Sequence, residues 1–221
     1  MSTVIHRAAL GLALLACAHA AQAATVTFNN WTFGSGNNVH TLQPAYSGAA
    51  GGFSATVDGV GMTTYCIELT QGFSWNTRYT NFTDGTAADY FGAGSDKAMK
   101  LGQLVSYAFY DTVAHVSNAA QSTSMQLAIW NVIYDNDNTL SSGSFADTSG
   151  YASYASTLLS ASQSFTNQAD VRVLASPTQQ DQLHWSRVTL GRPGIEVPEP
   201  GALALVMIAL GAAALALRGR A

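Results

Sequence analysis

The chain carries an apolar segment at each end, and these two segments restrict the soluble fold to the residues between them. Near the C-terminus, Gly201–Leu217 is a run of 17 residues without a charge, which is at the short end of what a transmembrane helix needs. Arg218 and Arg220 follow directly and favour a cytoplasmic C-terminus by the positive-inside rule. We therefore predict a transmembrane segment at 201–217 and a basic cytoplasmic tail at 218–221.

The motif Val197-Pro198-Glu199-Pro200 stands directly before this apolar run. Its prolines lack a backbone N–H and oppose helix formation, so we predict an extended linker over 193–200. Motif, apolar run and terminal arginines together resemble the PEP-CTERM sorting signal of Gram-negative bacteria. The resemblance implies anchoring in the inner membrane, processing by an exosortase-like membrane protease, and delivery to the cell surface or the extracellular matrix of a biofilm. An ordinary C-terminal membrane anchor is the alternative.

Residues 1–24 have the three parts of a secretory signal peptide. Arg7 supplies a positive charge, Ala8–Ala16 is apolar, and Ala21-Gln22-Ala23 offers small residues for cleavage. We predict that the chain is exported and that signal peptidase removes this segment near the end of that triplet. The alternative is a lipoprotein signal, Leu14-Leu15-Ala16-Cys17, whose cysteine would carry the lipid.

The chain between these signals has the composition of an extracellular module. Removing both ends leaves roughly 170 residues, enough for one domain with its own core. Between Thr25 and Pro200 there are six Lys or Arg and thirteen Asp or Glu residues, a net charge of −7. An acidic body without a basic patch argues against a nucleic-acid partner. Its many Gly, Ser, Thr and Asn residues favour a β-rich fold with polar loops.

Hydrophobic periodicity predicts strands, then helices, then strands, and hence an α+β class with a β-rich domain over 25–192 and an inserted helical region. Asp58-Gly59 reads as the turn of a hairpin between two of the strands. The predicted strands are 25–33, 53–60, 62–69, 73–82, 170–174 and 183–190. The predicted helices are 97–110, with Ser95 or Asp96 as N-cap, 119–134 and 151–162, and the predicted loops are 34–52 and 141–150.

Cys66 and Gln126 are the two residues whose surroundings bear on possible chemistry. Cys17 leaves with the signal peptide, so the exported protein keeps Cys66 as a lone cysteine that cannot form an internal disulfide. It is a buried apolar residue, an intermolecular partner or a thiol bound in another way. Gln126 lies in a helix that is apolar nearly all round, where a buried carboxamide needs hydrogen-bond partners.

The stretches Tyr65-Cys66-Ile67-Glu68 and Gln126-Leu127-Ala128-Ile129-Trp130 resemble the paired signatures of bacterial surface thioester domains. The resemblance implies that Cys66 supplies the thiol and Gln126 the acyl group of an internal thioester, formed with loss of ammonia. Tyr65 and Trp130 would shield that bond from water. The implied function is covalent attachment, once per molecule, to a surface or matrix nucleophile, an amine or a hydroxyl such as that of a polysaccharide.

We therefore predict a protein that is not an enzyme, with no catalytic residues, metal or cofactor. The main alternative is a non-covalent structural or carbohydrate-binding matrix protein with a buried free cysteine, in which Trp31, Trp75, Tyr79 and Trp185 would supply a sugar-binding face. A cysteine hydrolase would need His40, His115 or His184 beside the thiol. The acidic stretch after the second helix, Asp135-Asn136-Asp137-Asn138, is an incomplete match to a calcium loop.

Overall fold

The computed structural model describes residues 22–188 with the exception of 93, 112–114 and 136. The PEP motif Val197–Pro200, the linker 193–200, the transmembrane segment 201–217, the tail 218–221 and the signal peptide up to residue 21 lie outside the described residues. The described strands are β1 Gln22–Trp31, β2 Asn37–Thr41, β3 Tyr46–Ala50, β4 Phe53–Val57, β5 Val60–Cys66, β6 Arg78–Thr86, β7 Ala169–Ala175 and β8 Gln182–Arg187. The helices are α1 Ala87–Phe91, α2 Lys97–Tyr110, α3 Ala119–Tyr134 and α4 Ala152–Ser162.

Six of the strands close into an antiparallel barrel in the order β1-β4-β5-β8-β7-β6. The barrel forms because its strands alternate apolar and polar residues, which places one side of each strand in the core. Strand β1 buries Ala24, Val26 and Phe28 in this way. The last residues of the predicted signal peptide, Gln22–Ala24, begin this strand. The β-rich class is confirmed, and the sheet is a closed barrel.

The β4–β5 hairpin is confirmed at Asp58-Gly59. Both turn residues have positive φ, 47° and 86°, as the type I′ turn of a two-residue hairpin requires. On the far side of β5, the barrel closes through two residue pairs with β8, Tyr65↔Leu183 and Cys66↔Gln182. The end of β5 therefore lies at the seam where chain segments distant in sequence meet.

The four helices of the described residues all lie in the chain between β6 and β7. The bounds of α2 and α3 are those predicted, and α4 begins one residue later than predicted. Helix α3 is buried from Ser122 to Val132, which confirms it as a core helix. Among the described helices, none is both long and apolar enough to cross a membrane.

Two predictions of secondary structure are wrong, and one helix was not predicted. The predicted loop over 34–52 contains a second, two-stranded sheet, β2–β3, because Val39 and Ala50 bury their side chains against the core. Strand β6 begins five residues after the predicted start and runs on to Thr86. The short helix α1 was not predicted; Thr86 caps it by accepting a hydrogen bond from the Asp89 N–H.

Candidate functional site

Cys66 is the last residue of β5 and is 2% exposed. Its thiol is free, and the sulfur donates a hydrogen bond to the backbone oxygen of Glu68. The same oxygen accepts a second hydrogen bond from the Gln180 side chain at 3.0 Å. The backbone after β5 therefore turns back beside the thiol and holds it away from solvent.

Gln126 lies in the middle of α3 and is fully buried. The helix begins at Asn118, whose side chain accepts a hydrogen bond from the Gln121 N–H at 3.0 Å. One turn later, Thr123 donates its hydroxyl to the Ala50 carbonyl at 2.8 Å, and Ser122 accepts the Gly52 N–H at 2.8 Å. These hydrogen bonds connect α3 to the end of β3 and the β3–β4 connection. They fix the position of the helix along β5.

The structure brings Cys66 and Gln126 into direct contact. The Cys66 N–H donates to Oε1 of Gln126 at 3.0 Å, and Nε2 of Gln126 donates to the Cys66 carbonyl at 2.6 Å. Both ends of the carboxamide are thus held by the backbone of the residue that carries the thiol, although the two residues are 60 positions apart in the sequence. A carboxamide held at both ends has little rotational freedom.

The electrostatics of the site keep the thiol protonated. Burial raises the pKa of Cys66 far above its ordinary value, and the carboxylates of Glu68 and Asp181 raise it further. The backbone of Glu68 and the nearby Trp130 indole N–H act in the opposite direction, more weakly than burial but more strongly than the two carboxylates. At neutral pH the sulfur therefore carries a proton, and a reaction at sulfur must move that proton.

The two predicted shielding residues take different positions. Trp130 is 2% exposed and lies one helical turn after Gln126, beside the thiol. The fully buried Tyr65 ring stacks on Trp185 at 6.0 Å between ring centroids, and its hydroxyl lies 3.0 Å from Oγ of Ser122. Shielding of a thioester by either residue stays a prediction.

Two half-buried tyrosines flank the site and were not found from the sequence. The Tyr46 ring meets the Trp130 ring edge to face at 5.3 Å between centroids. The Tyr134 hydroxyl donates to the Ile67 carbonyl at 3.4 Å, and burial, with Cys66 and Glu68 nearby, raises the pKa of Tyr134 to about 12. Tyr134 follows Gln126 by two helical turns on one face, a spacing that could have identified it. Tyr46 lies in a strand that the sequence did not predict.

The histidines that a hydrolase would need have other partners. His40 lies 3.0 Å from the Ser47 hydroxyl, and His184 lies 3.0 Å from the Asp84 carboxylate, which also binds Arg172. His115 is exposed. Of the described histidines, none is within hydrogen-bond distance of Cys66.

The acidic segment after α3 closes a loop. Asp135 accepts the Phe145 N–H at 2.9 Å, and Asp137 accepts from the Asn131 side chain at 2.9 Å. Across the described part of the chain, no three His, Cys, Asp or Glu side chains gather as metal ligands. The carboxylates of this loop act as acceptors for the backbone and for the end of α3.

The four aromatic residues of the predicted sugar-binding face do not share one surface. Trp31 and Trp75 contact each other at 5.5 Å between centroids, and Trp75 is 39% exposed. The Tyr79 ring packs on Phe28 and Phe82, whereas Trp185 packs on Tyr65 and Phe109. Only the pair Trp31–Trp75 therefore remains as an aromatic surface.

Comparison of the chain with protein-family models, curated proteins and solved structures returned no match. The geometry around Cys66 and Gln126, together with the sequence motifs, is therefore the basis for assigning a function.

Proposed function

We propose that Cys66 and Gln126 join into an internal thioester, which the protein uses once to attach itself covalently to a nucleophile at the cell surface or in the extracellular matrix. The observation that carries the proposal is the pair of hydrogen bonds between the Gln126 carboxamide and the Cys66 backbone. They hold the acyl carbon against the residue that bears the thiol. Reactants held in contact gain a large effective concentration.

The bond forms by acyl transfer from nitrogen to sulfur. The Cys66 sulfur attacks Cδ of Gln126, a carbon–sulfur bond forms, the carbon–nitrogen bond breaks, and the thiol proton leaves with the nitrogen as ammonia. During the attack, Oε1 of Gln126 gains negative charge, and the Cys66 N–H already points at this oxygen from 3.0 Å. A donor placed where charge develops stabilises the transition state.

Burial then keeps the thioester from hydrolysis. Gln126 is fully buried and Cys66 is 2% exposed, so water does not reach the acyl carbon freely. An amine or hydroxyl that enters would take the Gln126 acyl group, and its proton would pass to the departing sulfur. The product is an amide or ester that anchors the protein, and Cys66 is left as a thiol. Because the acyl group is consumed, the protein acts once and is not an enzyme.

The motifs at the two ends support delivery to the place where this reaction is useful. The signal peptide over 1–24 would direct export with removal by signal peptidase. The linker 193–200, the apolar segment 201–217 and the basic tail 218–221 would hold the protein in the inner membrane until an exosortase-like protease acts on it. The target would then be an amine or hydroxyl of the matrix, such as one on a polysaccharide.

The test is the intact mass of the exported protein, purified without reducing agent and compared with the mass calculated for the residues that it retains. We expect a mass one ammonia below the calculated value, whereas Cys66→Ala and Gln126→Ala each have the full mass calculated for their sequences. Gln103→Ala is the matched control, because this helical glutamine bonds the Gln163 carbonyl at 3.1 Å and takes no part in the site; it should keep the deficit. Methylamine should add its own mass to the protein, which then lies one methylene group above the calculated value, and leave its label on the peptide that contains Gln126.

A second function is favoured by one observation, the contact of the exposed Trp75 ring with the half-buried Trp31 ring. Tryptophan rings are suited to stacking against apolar ligand faces, and the protein would then be a non-covalent structural or carbohydrate-binding matrix protein. The bonds of Gln126 would in that case only satisfy a buried carboxamide. A full calculated mass with one reactive thiol, and quenching of tryptophan fluorescence by a soluble polysaccharide that Trp75→Ala abolishes, would establish this function instead.

A further inference from the structure

The indole N–H of Trp130 is buried and has no hydrogen-bond partner in the structure. The residue is 2% exposed, so bulk solvent does not reach this donor. A buried N–H without a partner lowers stability, and an apolar side chain would not carry that penalty. Within the described part of the chain, the other buried side-chain atoms without a partner are oxygens, of Thr32 and Gln71. Packing alone therefore does not account for a tryptophan at position 130.

The Cys66 sulfur is near this N–H, which lowers the pKa of the thiol although the two atoms do not meet hydrogen-bond geometry. Trp130 follows Gln126 by four residues and so lies on the same face of α3, the face on which Gln126 contacts Cys66. The thiol hydrogen points to the Glu68 backbone, which leaves the sulfur lone pairs to other donors. A neutral sulfur is a weak acceptor, but a charged one is strong. The N–H gains a good partner only when the sulfur becomes negative.

Other charged or titratable groups near the sulfur do not offer this help. The carboxylates of Glu68, after β5, and Asp181, before β8, disfavour negative charge on the sulfur and raise the thiol pKa. Tyr46 from β3 and Tyr134 from α3 donate their hydroxyls to backbone carbonyls, those of Ala49 and Ile67. The side chain that favours the charged sulfur is Trp130.

We propose that the Trp130 indole N–H is the hydrogen-bond donor that stabilises negative charge on the Cys66 sulfur. Its role in acyl transfer rests on the proposed thioester: the N–H assists the sulfur as the attacking group when the bond forms and as the leaving group when an amine breaks it. When an amine breaks the thioester, the electron pair of the carbon–sulfur bond passes to sulfur. The Trp130 N–H stabilises this negative charge until the amine proton reaches the sulfur. Trp130 then donates a hydrogen bond to a reacting atom, in addition to shielding the thioester from water.

The test uses the full chain carrying Gln126→Met, in which no thioester can form, so its result does not depend on the proposed function. The rate at which iodoacetamide alkylates Cys66 is measured from pH 7 to 9. A hydrogen bond to a charged acceptor changes the thiolate population by about tenfold or more, so Trp130→Phe should slow alkylation by about that factor. Trp185→Phe is the matched control and should leave the rate unchanged, because this ring packs on Tyr65 and Phe109.

An unchanged or faster alkylation rate in Trp130→Phe would overturn the proposal, since a residue that only covers the thiol admits reagent when it is made smaller. If that variant does not fold, Trp130→benzothienylalanine keeps the shape of the ring and removes only the N–H. It should slow alkylation by the same factor, and a rate equal to that of the Gln126→Met parent would refute the donor role. The intact mass of the unsubstituted chain separately reports whether the thioester exists.

Discussion

Breaking the proposed thioester should lower the free energy of unfolding by an amount that follows from the length of the loop that the bond closes. A Cys66–Gln126 bond closes a loop across 60 positions. The chain-entropy relation for a cross-link of that span gives about 4 kcal/mol of stabilisation at 25 °C. Opening the bond with methylamine removes this contribution without changing any other residue. For a domain of this size, 4 kcal/mol corresponds to a fall in Tm of roughly 10 °C.

The assay is urea denaturation at pH 6, with and without prior methylamine treatment, followed by tryptophan fluorescence. We expect the treated protein to unfold at lower urea with a free energy of unfolding about 4 kcal/mol smaller. Cys66→Ala is the control, because it cannot form the bond: it should match the treated protein to within about 1 kcal/mol and should not respond to methylamine. If untreated protein and Cys66→Ala unfold at the same urea concentration, no cross-link is present and the reasoning fails.

The remaining predictions concern access to the bond and the released thiol. Tyr46→Ala removes the ring that packs on Trp130 at 5.3 Å, so the thioester should hydrolyse severalfold faster. The reaction is followed by the gain of one water, which leaves a carboxylate at position 126. Tyr154→Ala, whose ring lies near Tyr107, should not change the rate. In methylamine-opened protein, burial raises the pKa of the folded thiol, whereas the unfolded thiol titrates near about 8.5. Above pH ~8.5 the folded state therefore keeps a proton that the unfolded state releases. The free energy of unfolding has its full value below pH ~8.5 and is about 1.4 kcal/mol smaller at pH 9.5.

Each of these results has an outcome that contradicts it. Equal hydrolysis rates for Tyr46→Ala and the parent would show that this ring does not guard the bond. For the pH dependence, Cys66→Ala serves as reference because it lacks the thiol, and its stability over the same range isolates the thiol from the tyrosines. Parallel curves for opened protein and Cys66→Ala would mean that the thiol is not buried in solution.

The helices could be predicted well because their signals are local. The apolar positions of 97–110 and 119–134 recur at helical spacing, and the structure ends both helices at the predicted residues. The N-cap of the first is Asp96, one of the two candidates, although its side chain makes no capping bond. Asn118 caps the second helix through the Gln121 N–H. Information within four residues is sufficient for such elements.

The second sheet was missed because its stability is not local. Glycine, asparagine and serine over 34–52 are typical of a loop, yet this segment pairs as β2–β3. Helix α3 supports it: Thr123 accepts from the Asn37 side chain at 2.9 Å and donates to the Ala50 carbonyl. Partners more than 70 positions away decide whether such residues form strands.

For the site, the sequence by itself determined which two residues carry the proposed chemistry, since a lone cysteine on a strand and a buried glutamine on a core helix are recognisable from short motifs. Only the tertiary structure decided that they touch. The closing of the barrel at Cys66↔Gln182 and the anchoring of α3 to the β3–β4 connection bring the Gln126 carboxamide onto the Cys66 backbone. It also decided that the Trp130 N–H is left without a partner beside the sulfur. Contacts of this kind depend on strand pairing and helix packing between distant segments, which no local pattern specifies.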